Sequence, residues 1–472
     1  MKNHTKMQHP PITACGGLRR LLAGLVSLAV TGVLLLSGMG PAKADSMYTL
    51  PEGQTLYASS AMLVHLGIQP EQDVVLFEKE ADTVRAPAAL IRLMVGAYAL
   101  DQIEEKNLDL DTTTGTYTVE MFNKYIAGTG ITTTPMTIGE TWTLRDLLHA
   151  ALIATAGEAA VTLAATISGS VEAFVQGMND LAKEIGCTST SFANVTGLDS
   201  LLQYTTARDL YQIVRYAMDF PLFETVMNNA EYTVHPQNAA AKTIITTNSM
   251  RRSSSKFFYS PLVFGRTGFT DQAGWSLVSF ARDSGYEYVA IVLGCPETAP
   301  DGSEGLHYTD TKTLYKWAFS SFTYKPLLAK NEIIAHVKVD LAWNKDRVAL
   351  VPKEEFATVV YNELQSDDII KKPTLYQSEV DAPIEKGQVY GKVELFINVD
   401  QKIGEVELVA SESVSKSQIL AAWDQVQKFL SSPWFFAGLG VLVVLLVGYI
   451  ILNIVHNHNR RKNSQKPVKR YP

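Results

Sequence analysis

Hydrophobic and polar positions along the chain change their rhythm four times, and each change predicts a different kind of element. Near the start, Arg19-Arg20 precedes a strongly apolar run from Leu21 to Leu36, and Ala42-Lys43-Ala44 follows it. A charged start, an apolar stretch and small residues at alternate positions predict a secretory signal over residues 1–44, cleaved after Ala44. Ile12-Thr13-Ala14-Cys15 has the composition of a lipoprotein cleavage box but precedes the apolar run, so it carries no weight.

Residues 45–325 mix strand-like runs with helical periodicity. Val74 to Phe77 predicts a strand, and Pro87 to Leu100 a helix with proline in its first turn. Leu144 to Ile167 reads as one long buried helix, rich in alanine. Val171 to Ile185 places Phe174, Met178, Leu181 and Ile185 on one helical face. Trp275 to Phe280 and Tyr286 to Leu293 predict paired strands joined at Asp283-Ser284-Gly285. Residues 326–412 alternate apolar and polar positions in short runs, which predicts a small all-β module. Residues 413–432 carry Val414, Ile419, Leu420, Trp423, Val426, Phe429 and Leu430 at helical spacing. That segment either lies on a membrane surface or packs as a short helix. Trp434 to Val455 holds no charge and, as a helix, spans roughly 33 Å, enough to cross a bilayer.

Charge sharpens this division. The chain of 472 residues has a formal charge of −7, but residues 1–44 hold five basic residues and residues 460–472 hold six, with no acid in either. Between them 30 basic residues face 48 acidic ones, so the body is strongly acidic. An acidic body argues against nucleic-acid binding. A basic tail (456–472) directly after the apolar span predicts a single-pass membrane protein with the tail cytoplasmic and the body outside. Cys187 and Cys295 remain once the leader is removed; no Cys-x-x-Cys pair or Cys/His cluster suggests a metal site, and two free buried thiols are expected.

Several stretches, in order, resemble the D-alanyl-D-alanine carboxypeptidases, the low-molecular-mass penicillin-binding serine peptidases. They are Leu76-Phe77-Glu78-Lys79-Glu80-Ala81-Asp82, Gly197-Leu198-Asp199 with Gln203 to Asp209, Thr270 to Trp275, and, in the β module, Ala382 to Gly391. The resemblance implies an α/β fold: a β-lactamase/transpeptidase-like peptidase domain with an antiparallel sheet between helices, then a small β-sandwich-like domain and a membrane segment. It implies no cofactor and no metal. Its partners would be peptidoglycan stem peptides or cell-wall enzymes.

The same resemblance locates the chemistry, and there this chain departs from the family. The family's nucleophile motif, Ser-x-x-Lys, places a lysine one helical turn after the serine, where its amine can take the hydroxyl proton. The matching positions here are Ala89 and Arg92. Alanine has no atom to attack a carbonyl, and arginine stays protonated. The second motif, Ser-x-Asn, falls on Thr155 and Gly157, so the side-chain amide is gone. The third, Lys-Thr-Gly, falls on Arg266-Thr267-Gly268, which keeps a positive charge and a hydroxyl. By resemblance that element binds the substrate's terminal carboxylate, which arginine can grip with two hydrogen bonds.

Substitute nucleophiles are unpromising. Ser253 to Lys256 and Ser413 to Lys416 repeat the Ser-x-x-Lys spacing, but the first lies in a polar run and the second beside the membrane segment. His65, His149, His235 and His307 are scattered and read as core or solvated histidines. Three readings stay open on sequence: a catalytically silent member acting as a binder or regulator, an active carboxypeptidase with unusual chemistry, and a structural or assembly protein of the cell envelope.

Overall fold

The structure is a computed structural model and describes residues 48–399 and 401–463. The predicted signal (1–44) and the last nine residues of the basic tail lie outside the described residues.

A five-stranded antiparallel sheet organises the first domain. Its order is Val74–Lys79, Ser60–His65, Tyr286–Cys295, Trp275–Asp283 and Leu262–Gly268. Its two central strands form the hairpin expected from sequence. Asp283 pairs with Tyr286, and the two turn residues, Ser284 (φ 49°) and Gly285 (φ 84°), are both left-handed. That backbone matches the natural twist of a two-residue hairpin. Strand alternation sends Met62, Val64, Val278 and Ile291 to one face and Leu63, Leu277, Ala290 and Val292 to the other. The first face packs on a helical layer comprising Arg92–Glu105, Leu144–Ile153, Gly157–Ser168, Val171–Glu184 and Ala207–Ala217. The second is covered by one long helix, Leu306–Ser321.

Side-chain caps set where several of these helices begin. Thr143, Ser170 and Thr206 each accept a hydrogen bond from the backbone N–H three residues on. Each such cap contributes about 1 kcal/mol by satisfying a donor the helix leaves free. One expectation is corrected. The apolar run Leu144 to Ile167 is not one helix: it breaks at Ala154–Ala156, between Leu144–Ile153 and Gly157–Ser168. Thr155 sits in the break at φ 61°, a costly conformation for a β-branched residue. Unbroken hydrophobicity hid it, because both half-helices are buried.

The second domain is a six-stranded sheet beside a two-stranded one. The sheet order is Ile370–Leu375, Val389–Phe396, Lys402–Ala410, Arg347–Pro352, Ala335–Asp340 and Glu379–Asp381, with only the last pair parallel. Strand Ile370–Leu375 was not expected. Its Lys371, Lys372 and Pro373 disguise it, and its place at the sheet edge explains why it tolerates them. The two-stranded sheet pairs Phe322–Leu328 with Phe356–Tyr361, antiparallel, and joins the domains. There Tyr48, Phe322 and Tyr361 form an aromatic cluster with centroids 4.5–4.8 Å apart, and the Tyr361 hydroxyl donates to Thr49 O. The helices Gln418–Leu430 and Pro433–Asn463 follow. The second contains the one helix among the described residues long and apolar enough to cross a membrane.

Buried histidines give this fold a defined acid sensitivity. His307 is 2% exposed, stacks on Trp275 at 4.9 Å, and neither ring nitrogen has a hydrogen-bond partner among the described residues. Burial pushes its pKa down to about 4, and burial does the same to His65. Unfolded histidine titrates near 6.5, so between about pH 6.5 and 4 the unfolded chain binds protons that the folded one excludes. Stability from this source is complete above pH 6.5 and is lost as pH falls toward 4. Replacing His307 with Phe, which keeps the stacking, should flatten the loss of stability between pH 6.5 and 4 by about 1 kcal/mol per pH unit, measured by urea unfolding across that range.

Candidate functional site

The three motif segments converge where the edge strand Leu262–Gly268 meets the start of helix Arg92–Glu105. Ala88 to Ile91 form a 3-10 turn that delivers Ala89 to the cleft and Arg92 into the first helical turn. Ala88 is left-handed (φ 47°), and Gly197 packs against its backbone so closely that a Cβ there would lie 2.7 Å from Ala88 O. Two strained positions, Ala88 and Thr155, thus fall in the first two motifs, where the surrounding packing must hold them.

Arg92 is fully buried. Its Nη1 donates to Ala156 O at 3.0 Å and its Nη2 to Thr196 O at 3.1 Å. Desolvation lowers its pKa to about 10, partly offset by the carboxylate of Glu158. It therefore stays a cation at neutral pH and ties the first motif to the second. Glu158 is buried as well. Its Oε1 accepts from Thr134 N and from Thr134 Oγ1 (2.6 Å), while Oε2 has no partner among the described residues. Burial raises its pKa, against the pull of those hydrogen bonds and of Arg92. Glu158 stood in the second-motif stretch, yet nothing in the sequence marked it as the buried counter-charge to Arg92.

Arg266 does not face the cleft. It is 1% exposed, its Nε donates to Ala89 O at 3.4 Å, and its Nη1 donates to Leu152 O. Desolvation, and the charge of Arg92 nearby, push its pKa down. The guanidinium expected to grip a carboxylate is instead occupied by internal carbonyls of the first motif and of the helix before the second. Gly268 closes the same contact: a Cβ there would meet Ala89 N at 3.2 Å.

Gly157 is filled in from the other side. A Cβ on it would lie 2.6 Å from Ile131 Cγ2, and its N–H donates to Thr132 O at 3.0 Å. The segment around Ile131 therefore occupies the space a side chain at position 157 would need. Sequence reasoning missed Ile131 because it lies 26 residues away in a stretch without periodicity. Beside it runs a row of hydroxyls that reaches the surface at Thr247. Thr155 Oγ1 is 3.1 Å from Thr247 Oγ1, which is 3.3 Å from Thr267 Oγ1. Thr247 is exposed, Thr155 half-buried and Thr267 buried.

The remaining candidates disperse. Ser253 to Lys256 form an exposed turn and Ser413 to Lys416 an irregular segment, so neither places serine and lysine on a helical face. His149 stacks on Tyr232 at 3.7 Å and bonds Arg145 O, while His235 is exposed. Cys187 and Cys295 are buried and unpaired, and burial raises both thiol pKa values, Cys187 to about 12. No group of three metal-ligating side chains exists among the described residues.

If Arg92 works as a brace, its removal costs folding energy. Arg92→Met should destabilise the protein by about 2–4 kcal/mol in denaturant unfolding, because two buried carbonyls lose their donor. With Glu158→Gln already in place, the further cost of Arg92→Met should be smaller, since the charge it balances is gone.

Comparison with known proteins agrees with this arrangement of segments. The model of the family described as D-alanyl-D-alanine carboxypeptidase matches residues 47–297, and that of the penicillin-binding protein 5 C-terminal domain matches residues 322–416. The D-alanyl-D-alanine carboxypeptidase DacF of Bacillus subtilis is 25% identical over 397 residues, covering 83% of this chain and 95% of the relative. DacC of Escherichia coli is 27% identical over 378 residues, covering 76% and 86%. Among solved structures, penicillin-binding protein 5 from Haemophilus influenzae superposes with a TM-score of 0.58 at 22% identity, covering 77% of this chain and 99% of that one. DacD from Francisella tularensis gives 0.60 at 21%, covering 80% and 98%. With its fold, its two domains and the order of its motif segments accounted for, the chain belongs to the D-alanyl-D-alanine carboxypeptidase family.

Proposed function

We propose that the chain is a catalytically silent member of this family, anchored in the membrane by helix Pro433–Asn463, which works in cell-wall peptidoglycan metabolism as a binder or regulator. One observation carries the reading: the side chain at the base position, Arg92, is a buried cation donating to two backbone carbonyls, beside an alanine where the nucleophile belongs. A general base must accept a proton, and a nucleophile must have an atom to attack with. Neither requirement is met. The basic tail and the leader support an orientation with the body outside the membrane.

The ligand surface of this reading is the hydroxyl row. With Arg266 turned inward, the groups offered to a stem peptide are those of Thr155, Thr247 and Thr267. Removing Arg266 would test folding rather than binding, so Thr247→Val, at an exposed position, is the variant that interrogates the cleft.

Benzylpenicillin should leave the mass of the purified full-length protein unchanged; a covalent adduct would reveal a nucleophile and overturn the reading. The combined substitution Ala89→Ser, Arg92→Lys and Gly157→Asn should release no D-alanine from a stem pentapeptide. Asparagine at 157 collides with Ile131, and lysine at 92 cannot serve both carbonyls. Rapid turnover by that variant would show that only three residues separate this chain from an active carboxypeptidase.

A further inference from the structure

A groove of about 530 Å³ lies where the polar turn at Ser253–Lys256 meets helix Leu306–Ser321, and it includes none of the motif residues. Lys256, Lys312 and Lys316 line it, with the hydroxyl side chains Ser303, Thr309 and Thr313. Its volume falls in the range of ligand-binding clefts. Positions 309, 312, 313 and 316 share one helical face, so the sequence places two ammoniums and two hydroxyls side by side.

The three lysines gather without an acidic partner. Several lysines elsewhere in this acidic body are paired: Lys124 with Glu172, Lys338 with Glu379, Lys353 with Glu407, Lys402 with Glu394. Among the described residues none of Lys256, Lys312 and Lys316 makes an ion pair. Lys312 Nζ has only Lys256 O at 3.5 Å, and Lys256 Nζ lies 4.9 Å over the Phe257 ring. Lys312 and Lys316, one turn apart, repel each other, and burial together with that repulsion lowers the Lys312 pKa. Like charges at this spacing destabilise a helix. A local cost in stability, held open toward a groove, is the pattern of a ligand site rather than of a solvated face.

Compact ammoniums interleaved with hydroxyls suit phosphate oxygens, which lysine binds as a point charge. Glu304, the one carboxylate in the groove, suits a ligand that carries hydroxyls between its phosphates. We propose that this groove binds a soluble chain of phosphodiester-linked polyols, with Lys256, Lys312 and Lys316 neutralising successive phosphates and the threonine hydroxyls donating to their oxygens. The proposal is independent of the catalytic reading, because the groove and the motif segments share no residue.

The test is calorimetric titration of the detergent-solubilised full-length protein with a poly(glycerol phosphate) oligomer at several salt concentrations. Binding should weaken with salt, with a log–log slope of roughly −2 for three neutralised charges. The variant K256Q/K312Q/K316Q should bind at least tenfold more weakly, with a flatter slope and a melting temperature no lower than that of the parent. Unchanged affinity in the triple variant would overturn the proposal. So would equally tight binding of polyglutamate, which would show bare attraction for anions, or a preference for phosphatidylglycerol bicelles, which would assign the groove to lipid headgroups.

Discussion

Two buried guanidiniums hold the centre of this protein together. Arg92 bonds Ala156 and Thr196, and Arg266 bonds Ala89 and Leu152, so four backbone carbonyls from four segments converge on two cations. Burying a charge is expensive unless it is paired and hydrogen-bonded. Here carbonyl dipoles and the carboxylate of Glu158 supply the compensation, and Arg92 Nε and Arg266 Nη2 are left without partners. Such an arrangement persists only if the segments it joins have nowhere else to go. The strained backbone at Ala88 and Thr155 lies within those segments and depends on that grip.

Lysine and arginine both supply a cation, but they do different work at these positions. A lysine ammonium is a compact point charge, with three donors on one nitrogen at the end of a flexible stem, whose pKa falls readily on burial, which is what proton transfer needs. A guanidinium presents several donors in a fixed plane and keeps its proton, which is what bracing needs. By resemblance the family's motifs place a lysine at position 92 and at position 266; the arginines found there tie backbone carbonyls together. Alanine at 89 and glycine at 157 are consistent with that arrangement, because neither asks for space or a partner in the packed interior.

The fold was legible wherever pattern reflects burial on one face. The hairpin at Asp283–Gly285, the helix with Phe174 and Met178 inward, and the apolar terminal helix all follow from periodicity alone. That the motif segments meet was also legible, since Arg92 reaches Ala156 and Arg266 reaches Ala89. Direction was not. Arg266 resembled an anion grip by its position in a motif, and only the three-dimensional path of the edge strand shows the guanidinium turning toward Leu152. The break at Thr155 was hidden because its flanks are hydrophobic on every side. The contact of Ile131 with Gly157 and the gathering of Lys256 with Lys312 were hidden because each joins residues far apart in the chain.

The direction of Arg266 also constrains what the cleft can recognise. Its charge is already shared among internal carbonyls and shielded by burial, so it lends the surface only a long-range field. Recognition there must come from hydroxyls, which donate and accept but carry no charge. Hydroxyl contacts favour orientation and shape over raw attraction, since each hydrogen bond contributes only about 1 kcal/mol net in exchange with water. An anionic peptide terminus would therefore be held weakly and reversibly at the Thr155–Thr247–Thr267 row.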